Sequence, residues 1–248
     1  MIDAVSFDLW DTVFVDDSDE KERAKRGLKT KPEERRDIVC RFLEKTDPVS
    51  REDVAVAYDT VDAAFRHVWY QRNVTWTVGE RLTVLLQGLK RDLPSAAFDE
   101  MVRLHEEMEL EIKPALAPGI KDAIIALRSR YKLAVISDAI FSPGRVLKAI
   151  LEHYDLLRYF DAFVFSDEVG CAKPDPKLFH LIGTQLQIPL DRVVHIGDRE
   201  EKDIAGPQAV HAKAVLTTVV KDRGGAETKA DAVCRDYAAL PEIISSLS

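Results

Sequence analysis

Val5-Ser6-Phe7-Asp8-Leu9-Trp10-Asp11-Thr12-Val13 is the stretch on which the architecture turns. Val5 and Phe7 belong to a short apolar, β-prone run that begins almost at the first residue. Asp8 falls where that run ends, which puts a carboxylate at a strand tip. In open α/β sheets ligands bind beyond the carboxyl ends of the strands, so an acid fixed there meets residues brought by other strands from far along the chain. Three later segments fit that role: Ser137, Lys173, and the pair Asp198 and Asp203.

Outward from this stretch the chain changes character twice. An acidic segment, residues 14–20, leads into a densely charged run, 21–36, that includes Lys25, Arg26, Lys29, Lys31 and Arg35. Such a run reads as a solvated loop or helix face, with a second reading in which one cation leans over the Asp8 pocket. From Asp37 to about Glu111 apolar residues recur at helical spacing, as in Ile38, Val39, Phe42 and Leu43 or Val54, Tyr58, Val61 and Phe65. Capped helix starts are expected at Ser50, Thr77 and Pro94-Ser95. Residues 15–115 therefore read as a helical insertion.

Lys113-Pro114-Ala115-Leu116-Ala117-Pro118-Gly119 is suited to a hinge, and beyond it helix and strand alternate. Apolar strands are expected at 133–136, 162–165, 193–196 and 214–216. Helices are expected at 120–130, 143–153, 176–186, about 201–210, and from Leu240 onward. Strands without polar alternation, separated by helices, indicate an α/β fold with a parallel sheet covered on both faces.

Composition limits the function. A net charge of -8 argues against a nucleic-acid surface, which needs clustered Lys and Arg. Cys40, Cys171 and Cys234 are scattered and lack metal-ligand spacing, so free thiols in a reducing compartment are expected. No run reaches the roughly 20 apolar residues of a membrane span, and the first residues carry no secretory signal, so a cytoplasmic location is expected. Nothing in the sequence specifies an oligomeric state.

The polar residues at strand ends carry the chemistry. Asp8, Ser137 and Asp198 each follow an apolar strand, and Lys173 lies in the loop Gly170-Cys171-Ala172-Lys173-Pro174-Asp175-Pro176 after another. Paired carboxylates suit Mg²⁺, a hard cation that takes one or two protein carboxylates plus waters and phosphate oxygens. A lysine and a hydroxyl beside them suit a transferring phosphoryl group, and an aspartate can attack phosphorus to form an acyl phosphate.

These segments resemble, in order and over nearly the whole chain, the motifs of the haloacid dehalogenase-like (HAD) superfamily. Phe7 to Thr12 is similar to its nucleophile loop, Ile136-Ser137-Asp138-Ala139 to its phosphate-binding loop, Lys173-Pro174-Asp175-Pro176 to its lysine motif, and Ile196-Gly197-Asp198 with Asp203 to its acidic metal motif. The resemblance implies a Rossmann-like core, residues 1–14 and 116–248, with an α-helical cap domain inserted at 15–115. It implies Asp8 as nucleophile and Mg²⁺ ligand, the Trp10 carbonyl and Asp198 as further ligands, and Asp203 as ligand or support. It also implies Ser137 and Lys173 as catalytic groups on the phosphoryl oxygens, with Thr12 and Asp138 shaping substrate binding. The expected activity is hydrolysis of a small phosphorylated metabolite through an aspartyl-phosphate intermediate.

One departure matters. Phosphatases of the family usually carry a general-acid aspartate two positions after the nucleophile, where this chain has Trp10, and an aspartate follows one residue later as Asp11. Loss of a general acid typically costs on the order of 10² to 10⁴ in rate. A bulky aromatic at this position also resembles the dehalogenase branch, which makes metal-free 2-haloacid dehalogenation by Asp8 an alternative. A catalytically weak binding or regulatory protein is a third. The retained Asp198 and Asp203 favour phosphorus chemistry, because dehalogenases usually lack that pair. His195, inside an apolar strand, is expected to be buried and satisfied, and the cluster His67, Trp69, Tyr70, Arg72 and Trp76 to be mostly cap core or surface.

Overall fold

The computed structural model describes residues 1–248. Six strands form one parallel sheet: β1 (Ala4–Phe7), β2 (Lys132–Ser137), β3 (Ala162–Phe165), β4 (Val193–Gly197), β5 (Lys213–Thr217) and β6 (Ala232–Cys234), in the order β3-β2-β1-β4-β5-β6. β1 is central and buried at every residue, as its unbroken apolar character requires. Its alternate side chains serve two layers. Val5 and Phe7 join the larger core cluster with Leu133, Val135, Val194 and Ile196, while Ala4 joins Ala134, Ile136 and Val193 on the other face. The order reverses at β1, so the crevice beyond the tips of β1, β2 and β4 is the switch point where ligands gather in open α/β sheets.

Six helices separate β1 from the rest of the sheet: α1 (Glu20–Lys25), α2 (Lys31–Leu43), α3 (Arg51–Arg72), α4 (Val78–Leu89), α5 (Ser95–Glu106) and α6 (Met108–Glu111). Ser50 and Thr77 cap α3 and α4 through the backbone N–H three residues on, and Thr77 and Glu80 close a reciprocal capping box. A box at Thr30 and Glu33 starts α2 within the charged run. The helices share an apolar cluster of their own, centred on Ile38, Leu43, Val54, Leu82 and Met101. The chain enters and leaves them side by side: Val15 N–H bonds to Ala115 O at 2.8 Å and Ala117 N–H to Val13 O at 2.9 Å.

The remaining helices cover the sheet: α7 (Ile120–Arg128), α8 (Gly144–His153), α9 (Ser166–Val169), α10 (Pro176–Leu186), α11 (Gly206–Ala209) and α12 (Leu240–Ser246). Three features depart from the sequence expectation. The helix expected near 201–210 is a π-helical turn, Glu200–Ala205, followed by α11. The charged run 21–36 is not simply a solvated face, since Arg23, Lys31 and Arg35 are all buried. The edge strand β6 has no counterpart in the sequence pattern, because three residues, Ala-Val-Cys, are too few to show a period.

Candidate active site

Asp8 stands immediately beyond β1, its N–H continuing the ladder to Ile196 O at 2.8 Å. Lys173 Nζ donates to Asp8 Oδ1 at 2.7 Å and to Asp203 Oδ1 at 2.5 Å, with all three side chains buried. Asp203 accepts further bonds from Arg199 N–H and from His195 Nε2, and Ser6 Oγ meets the other ring nitrogen of His195 at 2.9 Å. His195 is thus buried and satisfied as expected, and it also orients an acid of the site. Burial raises the Asp8 carboxyl to about 7; Lys173 opposes that shift, while Asp203 and Asp198 add to it. Burial acts on Asp203 in the same sense, yet Lys173 and His195 overcome it and hold that carboxyl well below the usual range.

Asp198 follows Gly197 at the tip of β4. Asp8, Asp198 and Asp203 each offer an oxygen within 4.8 Å of the others, and Oδ1 of Asp198 is buried without a hydrogen bond, Arg199 Nε standing 4.0 Å from it. The set is all-oxygen and carboxylate-rich, as a hard divalent cation requires. Its closeness depends on Gly197, where a Cβ would lie 2.3 Å from the Asp203 carboxyl carbon.

Arg223, in the loop between β5 and β6, binds Asp198 through Nε and Asp11 Oδ2 through a terminal nitrogen at 2.6 Å. The other Asp11 oxygen accepts the N–H of Asp16 at 3.1 Å. Asp11 adopts a left-handed backbone, φ 53°, and both its oxygens are engaged away from Asp8. Trp10 takes the place facing the cavity, its ring packed edge-on against Phe14. No motif announces Arg223, because the residue lies in an irregular loop far along the chain.

A cavity of about 610 Å³ opens between the sheet tips and the helices of 20–111. Asp8, Trp10, Asp138, Lys173 and Asp203 line it. Thr12 and Ser137 do not: both are fully buried at the strand ends, each with its hydroxyl unpartnered. The Asp138 carboxylate is already engaged by Lys173 N–H at 2.9 Å and Lys202 Nζ at 2.7 Å. Lys202, on the π-helical turn, also stands 3.0 Å from the centroid of the Trp69 ring, joining the sheet tip to α3. Its place was legible only in part, since adjacency to Asp203 is plain in the sequence but the π-turn that brings both to the cavity is not. From the charged run Lys31, Arg35 and Arg36 reach the cavity wall, and from the aromatic cluster Trp69 and Tyr70 do, while His67 and Arg72 are exposed.

A central parallel sheet with an acid cluster at its switch point, clamped by a buried lysine, defines a Rossmann-like α/β protein with a charged strand-tip site. The chain belongs to the haloacid dehalogenase-like hydrolases: the model of that family matches residues 2–211. It is 32% identical over 122 residues to a phosphorylated carbohydrates phosphatase of Thermotoga maritima, covering 48% of this chain and 54% of that one. It is 29% identical over 168 residues to a phosphoglycolate phosphatase of Aquifex aeolicus, covering 64% and 75%. The chain thus spans about half the length of the Thermotoga relative. Among solved structures, a HAD phosphatase from Thermococcus onnurineus matches with TM-score 0.66 at 22% identity, covering 98% of each chain. A 2-haloacid dehalogenase from Pseudomonas syringae matches with TM-score 0.70 at 21% identity, covering 100% of each, so these likenesses bear on the fold alone. No helix is long and apolar enough to cross a membrane.

Proposed function

We propose that this hydrolase is a Mg²⁺-dependent phosphatase of a small phosphorylated metabolite, with Asp8 as nucleophile. The observation that carries this reading is the convergence of Asp8, Asp198 and Asp203 beside Lys173, with one Asp198 oxygen buried and without a hydrogen bond. Those carboxylates and the Trp10 carbonyl would hold the ion, which when bound neutralises phosphoryl oxygens and favours the ionised form of Asp8. The phosphatase names of the Thermotoga and Aquifex relatives support the substrate class.

An Asp8 oxygen attacks phosphorus, the bond to the leaving oxygen breaks, and water then cleaves the acyl phosphate. Lys173, on the cavity wall, offsets charge on the attacked group, whereas the hydroxyls of Ser137 and Thr12, expected from the sequence to meet its oxygens, are enclosed and do not line the cavity. Asp138 acts indirectly, fixing the backbone of Lys173. Asp11 is turned away by Arg223, so it does not protonate the leaving group. Asp16, although exposed to solvent, lines the cavity where Asp11 does not, so it is the acid of this loop better placed for that role. Residues 15–115 serve as a cap over residues 1–14 and 116–248, a division supported by the backbone bonds that hold the entry and exit segments side by side. A cytoplasmic location belongs to the same reading.

Hydrolysis of an aryl phosphate with Mg²⁺, with EDTA and in Asp8→Asn tests the mechanism. Activity surviving both EDTA and the substitution would sink it. Trp10 on the cavity wall favours one second reading, dehalogenation, for which metal-independent halide release from a 2-haloacid is the decisive observation.

A further inference from the structure

Arg35, on α2, is only 6% exposed, yet its Nε has no hydrogen-bond partner and no carboxylate forms an ion pair with it. Its guanidinium carbon lies 3.5 Å from the centroid of the Phe141 ring, and the side chain lines the same cavity as Asp8. The acids around it are already matched: Glu109 binds Lys31 and Ser142, Asp62 binds Arg81, and Asp59 binds Arg36. Arg81, bonded to Asp62 and the Ile140 carbonyl, stands 4.0 Å from the Phe141 ring and adds to the local positive field. His105, stacked on Tyr58 nearby, is neutral, because burial drives its imidazole down to about 4. Arg35 is therefore the buried cation of this part of the wall that is left without an acid; Arg66, also unpaired there, is exposed to solvent.

An unpaired buried cation is costly, and one held by stacking on an aromatic keeps the edge donors of its planar fork free for a bidentate acceptor. The neighbours of Arg35, Phe141 and Tyr58, are not those of Asp8, so the two mark separate positions within one cavity. We infer that Arg35 receives a second anionic group of the substrate, so that the preferred substrates are small phosphate esters bearing a carboxylate or a second phosphate. This rests on the phosphatase reading and narrows it.

The test compares kcat/KM within pairs of esters that differ only in the distal group: phosphoglycolate against ethylene glycol monophosphate, and 3-phosphoglycerate against glycerol 3-phosphate. 1,3-Propanediol bisphosphate separates a phosphate from a carboxylate preference. The wild type is expected to favour the doubly anionic member by at least about tenfold, chiefly through KM. In Arg35→Gln that ratio falls to within about twofold, and Arg35→Lys keeps part of it, since a point charge replaces the fork. A ratio read inside one variant does not depend on how much of the variant folds. A wild-type ratio near one while p-nitrophenyl phosphate is hydrolysed overturns this inference and leaves the phosphatase reading intact. So does a preference that Arg35→Gln leaves unaltered. No turnover of any ester, the aryl phosphate included, overturns both.

Discussion

The sheet tips and the helices of residues 20–111 both pair buried ions, but they differ in how many buried polar atoms they leave without a hydrogen bond. At the tips the ions are matched on the spot: Lys173 sits between Asp8 and Asp203, Asp203 takes two more donors, and Lys202 closes on Asp138. Seven of the ten buried side-chain atoms that lack a partner lie instead between Asp19 and His105, including nitrogens of Arg23, Arg35 and Arg36. The other three, on Thr12, Ser137 and Asp198, lie in the segments at and after the tips of β1, β2 and β4. Of those seven, only Arg35, Arg36 and Trp69 line the cavity, so that wall keeps open donors while the ions at the tips are paired among themselves.

Four measurements break or sharpen that contrast. Asp8→Asn is expected to lower turnover of an aryl phosphate by on the order of 10⁴ or more in steady-state assays, since no neighbouring group can replace a lost nucleophile. Lys173→Met leaves two buried carboxylates facing each other and should cost about 3 to 5 kcal/mol in urea denaturation. His105 is buried and neutral, with Nδ1 bonded to Met101 O at 2.7 Å and burial holding its pKa at about 4 against 6.5 unfolded. Between those values only the unfolded chain takes up the proton, so stability falls as pH falls. From pH 7 to 5 the loss is on the order of 2 kcal/mol, and it should be absent from the same titration of His105→Gln. Arg35→Met should change stability by no more than about 1 kcal/mol, or raise it, because no partner is left uncompensated. If it cost as much as Lys173→Met, the contrast between tip and wall would fail.

Much of the sheet was legible in the sequence because its strands are fully buried and read as unbroken apolar runs. Their end residues then stood out as polar groups in a row: Asp8, Ser137 and Asp198. What escaped is what no local pattern encodes. Arg223 reaches Asp11 across 212 positions from an irregular loop and, with the Asp16 N–H, holds both oxygens of Asp11, while Trp10 lines the cavity. The burial of Lys31 and Arg35 was hidden for a related reason. A charged run looks solvated until tertiary contacts bring Asp19, Glu109 and Phe141 around it. Lys202 depended on a π-helical turn, whose irregular period a 3.6-residue template does not register.

Gly197 has a consequence for how natural and engineered variation in this chain will look. The residue makes no contact with substrate in any step above and offers no functional group. Yet the first atom of any side chain there would occupy the space of the Asp203 carboxyl. In a saturation library scored separately for abundance and for turnover, substitutions at position 197 should lose both, because the clash falls on a buried carboxyl already held by Lys173, His195 and the Arg199 N–H. Such a signature, a residue indispensable only for the room it leaves, would be overlooked by any search confined to reactive side chains.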